Sequence, residues 1–232
     1  MRVVFAILRL IVAAAIVAAV IGQLLTSLAF WRDVDGITNP TIQIVNFFSF
    51  FTIESNIFAV VILVIGAMLL LRRGRPLDPA WFAATRLSVT TYMVTTGIVY
   101  NLLLRGIPLP QGSTLGWSNE ILHVIAPIWL LLDWLFAPGR RALPWRSVWL
   151  VIAFPLVWAG YTLIRGPLTP DAVLGRNYWY PYPFLNPNVA PTGYWSVAFY
   201  IALIAVVIAA VAVGAIWVSR FDRRRATPAA RA

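Results

Sequence analysis

The sequence predicts an all-α integral membrane protein, a single domain built as a bundle of six transmembrane helices. Of its 232 residues, 61% are hydrophobic and only 11% are charged, which leaves too little polar surface to cover a water-soluble core. Six apolar runs are long enough to cross a hydrocarbon layer of about 30 Å, which takes about 20 helical residues. The runs cover residues 6–28, 44–71, 81–104, 118–136, 147–163 and 195–218.

The connections between these runs differ in length and composition. The first run is expected to be a span, because it exceeds a normal signal-peptide core and no clear small-residue cleavage site follows it. The connections at 72–79 and 137–141 are short and rich in turn formers, so we expect antiparallel neighbouring helices. The longer connection at 164–194 contains a segment rich in proline and aromatic residues, 177–188. That segment fits either an interfacial aromatic belt or a lid over a site.

The 18 basic residues are all arginines, and their distribution predicts the orientation of the bundle. Only four of them fall on the membrane side opposite the two termini; these are Arg32, Arg105, Arg165 and Arg176. By the positive-inside rule both termini are cytoplasmic, and residues 219–232 form a basic cytoplasmic tail. The formal charge of +10 does not predict nucleic-acid binding, because the chain has no clustered basic face on a soluble module.

Composition also limits the partners and cofactors. The arginines lie in short clusters between apolar runs, where they meet anionic headgroups, so membrane lipids are the predicted partners. The absence of cysteine and the presence of a single histidine exclude disulfides, thiolate chemistry and a multi-histidine metal site, and no cofactor is predicted. The use of arginine without lysine, together with the alanine content, favours the plasma membrane of a bacterium with a GC-rich genome.

The fourth span contains the single histidine of the chain, His123, together with the carboxylates of Glu120 and Asp133. An ionisable group in hydrocarbon is costly unless it is paired or wetted, so its presence in a span is by default a functional hypothesis. Asn119 and Glu120 lie about one helical turn before the histidine. The candidate site therefore depends on which other polar groups can meet His123.

The second and third spans offer such groups. In the second span Ser49, Thr52 and Asn56 share one helical face, whereas Glu54 points about 200° away from Thr52. The third span carries a polar stripe, followed by Asn101 and Arg105; the stripe is Ser88, Tyr92, Thr96 and Tyr100.

The expected depths of these residues in the membrane also agree. Thr52 lies eight residues beyond Ile44, about 12 Å along a helix, and His123 lies six beyond Trp117, about 9 Å. Both helices enter from the outer side, so both residues are expected in the outer half of the membrane. The end of the third span brings Tyr100 to a similar level.

A neutral imidazole can act as a general base towards a hydroxyl, and a threonine alcohol becomes a nucleophile when a base is within reach. Thr52 and His123 are therefore a candidate dyad for acyl transfer, in which Asn56 or Asn119 could steady the imidazole or donate to an oxyanion.

Each of these polar residues also has a purely structural interpretation. A threonine in a span commonly bonds the carbonyl one turn back, and the stripe of the third span also suits helix packing. Arg105 could neutralise Glu54 or Glu120, and Arg86 could neutralise Asp133.

Three local patterns resemble a known family. They are Phe50-Phe51-Thr52, then Asn119 to His123 followed by Pro127 and Asp133, and then 179–185. They are similar to segments of the androgen-induced gene (AIG-like) family of six-pass membrane proteins, whose vertebrate members are threonine hydrolases of fatty acid esters of hydroxy fatty acids. The resemblance implies that Thr52 is the nucleophile and His123 the catalytic histidine. The chain departs from it in the more polar segment 53–56 and in a doubled Tyr-Pro.

The leading hypothesis is therefore a membrane hydrolase of lipid esters, in which the ester enters laterally and places its carbonyl near the outer headgroups. The alternative is a non-catalytic lipid-binding or small-solute-binding protein, or a proton-coupled transporter, that uses the same polar pocket. Against a transporter stand the small size and the absence of an internal repeat or a helix broken at mid-membrane.

Overall fold

The computed structural model describes residues 1–72, 77–107 and 112–225, with side chains up to residue 221. Within these ranges the chain is helical and forms no sheet. The helices are α1 (Arg2–Asp33), α2 (Thr41–Phe48), α3 (Phe51–Leu71), α4 (Ala80–Val99), α5 (Gly116–Glu120), α6 (Ala126–Phe136), α7 (Ser147–Arg165) and α8 (Tyr194–Arg225). One π-helical turn, Tyr100–Leu104, extends α4, and another, Ile121–Ile125, joins α5 to α6. Short 3-10 turns occupy Gly166–Leu168 and Pro183–Leu185.

Six helical segments are long and apolar enough to cross a membrane, which confirms the six predicted runs. They are Arg2–Asp33, Phe51–Leu71, Ala80–Leu104, Gly116–Phe136, Ser147–Leu168 and Tyr194–Phe221. The predicted turn at 72–79 and the predicted tail at 219–232 extend into residues outside the described ranges. Within the tail, α8 continues as a helix to Arg225.

The second predicted run is not one continuous helix. Phe50 adopts an extended conformation, with φ −71° and ψ 129°, and separates the short α2 from α3. The break is stabilised by contacts distant in sequence, since the Ser49 carbonyl accepts a hydrogen bond from Trp158 Nε1 at 3.2 Å. The Ser49 hydroxyl bonds to the Val45 carbonyl at 2.7 Å and lies 2.9 Å from the Tyr161 hydroxyl. The second span therefore begins at Phe51, later than predicted.

Helix α4 is the centre of the bundle. It packs against α3, α6, α7 and α8, and its side chains Phe82, Leu87 and Met93 are fully buried. Helix α1 lies along α3, and α7 lies along α8. At Gly97, an added Cβ would lie 3.0 Å from Pro127 Cβ, so the glycine allows α4 and α6 to approach closely.

The bundle has two ends with different polar interiors. One end, here termed the network end, is where the start of α1 meets the start of α4 and the end of α6. The other end, here termed the site end, contains the start of α3 and the end of α4. The α5–α6 junction and residues 179–185 lie there too.

Four buried charged side chains form an ion-pair network at the network end. Arg9 binds Asp133 through two hydrogen bonds of 2.8 and 3.0 Å, and Arg86 binds Asp133 at 2.8 Å and Asp78 at 3.1 Å. All four side chains belong to residues that are at most 5% exposed. The predicted pairing of Arg86 with Asp133 is confirmed, and Arg9 joins it as a partner that the sequence did not indicate.

Candidate active site at the site end

Thr52 lies in the first turn of α3 and is 7% exposed. The first amides of a helix have no acceptor within the helix. The amide of Thr52 donates to the Tyr182 hydroxyl at 3.3 Å, and the Thr52 hydroxyl lies 3.2 Å from the same oxygen. Because α3 begins at Phe51, Thr52 lies in the first turn of the span, rather than eight residues along one continuous helix as predicted. The break also removes Ser49 from the helical face that carries Thr52.

Asn56 connects the backbone of Thr52 to the backbone of Leu122, the residue before His123. Its side-chain amide donates to the Thr52 carbonyl at 2.8 Å and to the Leu122 carbonyl at 3.2 Å. Because Leu122 directly precedes His123, this side chain holds the start of α3 level with the histidine segment. Asn56 therefore bonds to backbone carbonyls and not to the imidazole, which was one of the roles considered for Asn56 or Asn119.

The contact between α3 and α4 is also polar at this level. The Ser55 hydroxyl lies 3.3 Å from the Thr96 hydroxyl and donates to the Phe51 carbonyl at 2.7 Å. Ser55 is fully buried, and the sequence analysis did not single it out. Its position three residues after Thr52 is the signal that could have identified it.

His123 lies in the π-helical turn between α5 and α6. Its Nδ1 is 3.0 Å from the Asn119 carbonyl oxygen. A carbonyl oxygen can only accept, so Nδ1 carries the proton of the neutral ring and Nε2 keeps the free lone pair. The ring orientation thus leaves Nε2 as the nitrogen that could act as a base.

Tyr100 is the immediate neighbour of the histidine. The two rings stack with centroids 4.0 Å apart and an interplanar angle of 27°. The Asn119 side-chain amide donates to the Tyr100 hydroxyl, so Asn119 holds both rings, one through its carbonyl and one through its amide. Tyr100 and His123 each lie in a π-helical turn, a rare conformation that is frequent at functional sites.

Among the described residues, no hydrogen bond joins Thr52 to His123. The hydroxyl partner of Thr52 is Tyr182, and the Nδ1 partner of His123 is the Asn119 carbonyl. Asn56 bonds to the carbonyl of Thr52 and to that of Leu122, the residue before His123, so the two segments lie side by side. The Thr52–His123 dyad stays a prediction, which requires a bridging water or a ligand-induced approach.

A cavity lies between α3, α4, α7, α8 and the segment 182–185. Its interior volume is about 80 Å³, and it is open on one side. Its polar lining consists of hydroxyl-bearing side chains, namely Thr52, Thr95, Thr96, Tyr100 and Tyr182. The remaining lining is apolar and includes Ile152 and Leu156 of α7 and Ile201 and Ile204 of α8. An apolar cleft with a few grouped polar side chains is the usual form of a small-molecule site.

The aromatic segment before α8 covers the start of α3. The ring of Tyr182 stacks on Phe184 with centroids 5.1 Å apart and packs edge-on against Phe50 at 5.6 Å. Trp179 also packs edge-on against Phe50 at 5.6 Å. Of the two predicted roles of this segment, these contacts favour the lid. Tyr182 was missed as a site residue, although its aromatic loop had been noted.

Several other predicted pocket residues lie away from the cavity. Tyr92 donates its hydroxyl to the Val151 carbonyl at 2.9 Å, because its face of α4 is turned towards α7. Asn101 is exposed, and it bonds to the Gly97 carbonyl and to Arg105. Glu120 forms an exposed ion pair with Arg105, as one of the predicted pairings proposed.

Glu54 has no ion pair among the described residues. Its residue is half-buried, and its Oε2 atom is buried without a hydrogen-bond partner there. Arg105, its predicted partner, binds Glu120 instead. No group of three or more His, Asp or Glu side chains that could hold a metal occurs in the part of the chain that the structure describes.

No known protein-family model matches the chain. Searches of curated proteins and of solved structures find no match either.

Proposed function

We propose that the chain is an integral membrane hydrolase of lipid esters, with Thr52 as nucleophile and His123 as base. The observation that carries the proposal is the position of Thr52, which is one of a few hydroxyl-bearing residues that line an otherwise apolar cavity within the bundle. An amphipathic ester fits such a site, because its acyl chain matches the apolar lining and its carbonyl matches the hydroxyl cluster. The resemblance of segments around Thr52 and His123 to the AIG-like family supports the same reaction.

Substrate binding follows from the cavity lining. The acyl chain lies between α4, α7 and α8, against Ile152, Leu156 and Ile204. The ester carbonyl lies beside Thr52, at the amino end of α3, where the helix dipole favours negative charge. The start of a helix is therefore a suitable place for the oxyanion of an acyl-transfer reaction.

The proposed reaction has two halves. In the first, Thr52 Oγ1 attacks the ester carbonyl, and Nε2 of His123 accepts the threonine proton through a bridging water. The tetrahedral intermediate then collapses, and the alcohol leaves with that proton while the acyl group stays on Thr52. In the second half a water molecule attacks the acyl-threonine ester in the same way, which releases the fatty acid and restores the threonine hydroxyl.

The orientation of the bundle belongs to the same proposal. The arginine distribution puts both termini in the cytoplasm, and it puts the site end at the outer face of a bacterial plasma membrane. Membrane lipids are then both the environment and the source of the substrate.

Ester hydrolysis by the purified protein tests the proposal. The panel contains p-nitrophenyl acyl esters and branched fatty acid esters of hydroxy fatty acids, presented in mixed micelles. We expect Thr52→Ala to abolish turnover, Thr52→Ser to retain part of it, and His123→Ala to lower it by about 10²–10⁴-fold. Thr85→Ala is the matched control, because Thr85 bonds only to the Trp81 carbonyl one turn back. Wild-type turnover in either Thr52→Ala or His123→Ala contradicts the proposal.

A second candidate is a non-catalytic lipid-binding protein. The observation that favours it is the resting geometry, in which Tyr182 is the partner of the Thr52 hydroxyl and His123 does not line the cavity. Saturable binding of a fluorescent fatty acid without any ester turnover, at equal affinity in the wild type and in Thr52→Ala, supports this candidate over the hydrolase.

A further inference from the structure

The hydroxyl of Tyr182 lies beside the predicted nucleophile, Thr52. It lies 3.3 Å from the Thr52 amide nitrogen and 3.2 Å from Thr52 Oγ1. The amide can only donate, so the phenol oxygen accepts from it and keeps its own O–H to give to another oxygen. The hydroxyl therefore combines an anchor on the helix backbone with a free donor next to the predicted nucleophile.

The ring of Tyr182 is held on several sides. It stacks on Phe184 at an interplanar angle of 7°, meets Phe50 edge-on, and lies 6.1 Å from the Trp158 ring. Leu185, three residues further on, is 2% exposed and anchors the segment in the core. A donor fixed in this way needs no reorganisation when charge develops beside it.

The phenol also keeps its proton. Burial raises the pKa of Tyr182 above its ordinary value, and the charge of Glu54 adds to the rise, whereas the bonds to Thr52 oppose it. The ordinary value is already about 10. The hydroxyl is therefore protonated at neutral pH and able to donate.

We propose that Tyr182 is a catalytic residue of the ester hydrolysis and donates the hydrogen bond that stabilises the tetrahedral oxyanion. This inference rests on the proposed function and deepens it. When Thr52 Oγ1 bonds to the carbonyl carbon, the π electron pair of the carbonyl moves to its oxygen. That oxyanion is attached to the same carbon as Oγ1, so a donor beside Oγ1 is within reach of it. The Tyr182 proton is shared with the oxyanion and stays on the phenol when the intermediate collapses.

The same bond explains the resting arrangement of the site. Without substrate, Tyr182 holds the Thr52 hydroxyl at the cavity, where both residues contribute to the lining. When an ester carbonyl enters, the phenol turns its O–H to the carbonyl oxygen, and the threonine hydroxyl is released to the base. The lid segment thus carries part of the chemistry as well as covering the site.

The variant Tyr182→Phe tests the inference, because it removes only the hydroxyl and keeps the ring among its aromatic neighbours. We expect kcat for a p-nitrophenyl acyl ester to fall by about 10²–10³-fold, as for the loss of one oxyanion donor, with KM changed by less than about threefold. The control is Tyr180→Phe, which removes a hydroxyl from the same segment. The Tyr180 ring packs on Gly166, whereas the Thr52 hydroxyl has Tyr182 as its partner. That variant is expected to keep the wild-type kcat.

The outcomes separate this inference from the proposed function. If Thr52→Ala is inactive while Tyr182→Phe keeps the wild-type kcat, the hydrolase stands and the role of Tyr182 is overturned. A rise in KM at unchanged kcat also overturns it, because it indicates a packing role alone. If the wild type has no esterase activity, or Thr52→Ala keeps it, the proposed function fails and the inference fails with it. A loss of kcat in Tyr182→Phe, at an unchanged melting temperature and with Tyr180→Phe active, supports it.

Discussion

Two buried polar regions of this bundle differ in the charge of their side chains. At the network end, Arg9, Asp78, Arg86 and Asp133 neutralise one another, and none of them lines the cavity. At the site end the polar groups around Thr52 are chiefly hydroxyls, amides and one imidazole, and a cavity lies beside them. The network end is balanced in charge, with two arginines and two aspartates, whereas the site end is chiefly uncharged and lies beside an apolar cavity.

Under the proposed function, this difference separates polar groups that hold the fold together from polar groups that serve a ligand. A buried charge whose partner is removed is strongly destabilising, so a paired network holds its helices in one arrangement. Neutral hydroxyls cost less to bury and can exchange partners when a ligand enters. Ionisable residues in spans are functional hypotheses by default, and pairing and adjacent space distinguish the two cases here.

The largest effect on stability is expected at the network end. Asp133→Asn leaves Arg9 without its carboxylate and weakens the hold on Arg86. We expect the free energy of unfolding to fall by about 3–5 kcal/mol, measured by denaturant titration in detergent micelles. Glu120→Gln is the control, because its ion pair with Arg105 is exposed and worth at most about 1 kcal/mol. Equal losses in the two variants contradict the assignment of the network as a structural element.

A smaller loss is expected from Gly66→Ala, on the same network. The added Cβ would lie 2.6 Å from Arg9 Nη1 and 2.9 Å from Phe82 Cζ, so the guanidinium and the ring must both move. We expect a destabilisation of about 1–3 kcal/mol in the same titration.

Gly214→Ala provides the comparison for that variant. Its added Cβ meets nothing within 4 Å, so only the gain in helix propensity remains, and its stability is expected to rise by up to about 1 kcal/mol. If Gly66→Ala is as stable as Gly214→Ala, close packing around Arg9 does not contribute to the stability of the bundle.

The smallest effect on stability, and a larger one on activity, is expected from Asn56→Leu at the site end. The variant keeps a similar side-chain volume but loses the bonds to the Thr52 and Leu122 carbonyls, which is worth about 1–2 kcal/mol. Turnover is expected to fall by at least about tenfold, because the level of Thr52 relative to His123 is no longer fixed. Asn101→Leu is the control at an exposed asparagine in the π-helical turn that extends α4, and it should change stability by no more than about 0.5 kcal/mol. An active Asn56→Leu variant rules out this positioning role.

Much of the fold was predictable from composition and run length. The six spans appear in the sequence because crossing a membrane needs long apolar helices, whatever their neighbours are. The pairing of Arg86 with Asp133 was also predictable, because two charges near the same end of neighbouring spans must be neutralised.

The remaining features depend on contacts that periodicity does not encode. The break at Phe50 follows a run without glycine or proline, and it is stabilised by Trp158, more than a hundred residues away in the chain. Arg9 looked like an orientation signal, because the sequence does not indicate that α1 lies against the network.

Tyr182 shows the same limit for the candidate site. It lies in a connecting segment, where neither a helical nor a strand period specifies which side chain points at α3. The local pattern around Thr52 and His123 predicted a shared layer. The pattern could not indicate Tyr182, because this side chain reaches Thr52 from the loop before α8.

Covalent capture of the acyl group on Thr52 tests the central claim most directly. The protein is incubated with a p-nitrophenyl acyl ester, quenched in acid, digested and analysed by mass spectrometry. An acyl mass on the peptide that contains Thr52, absent from the Thr52→Ala variant and present in Thr85→Ala, is the predicted result. Steady turnover with the acyl mass on another residue, or on no residue while Thr52→Ala remains active, would contradict the account.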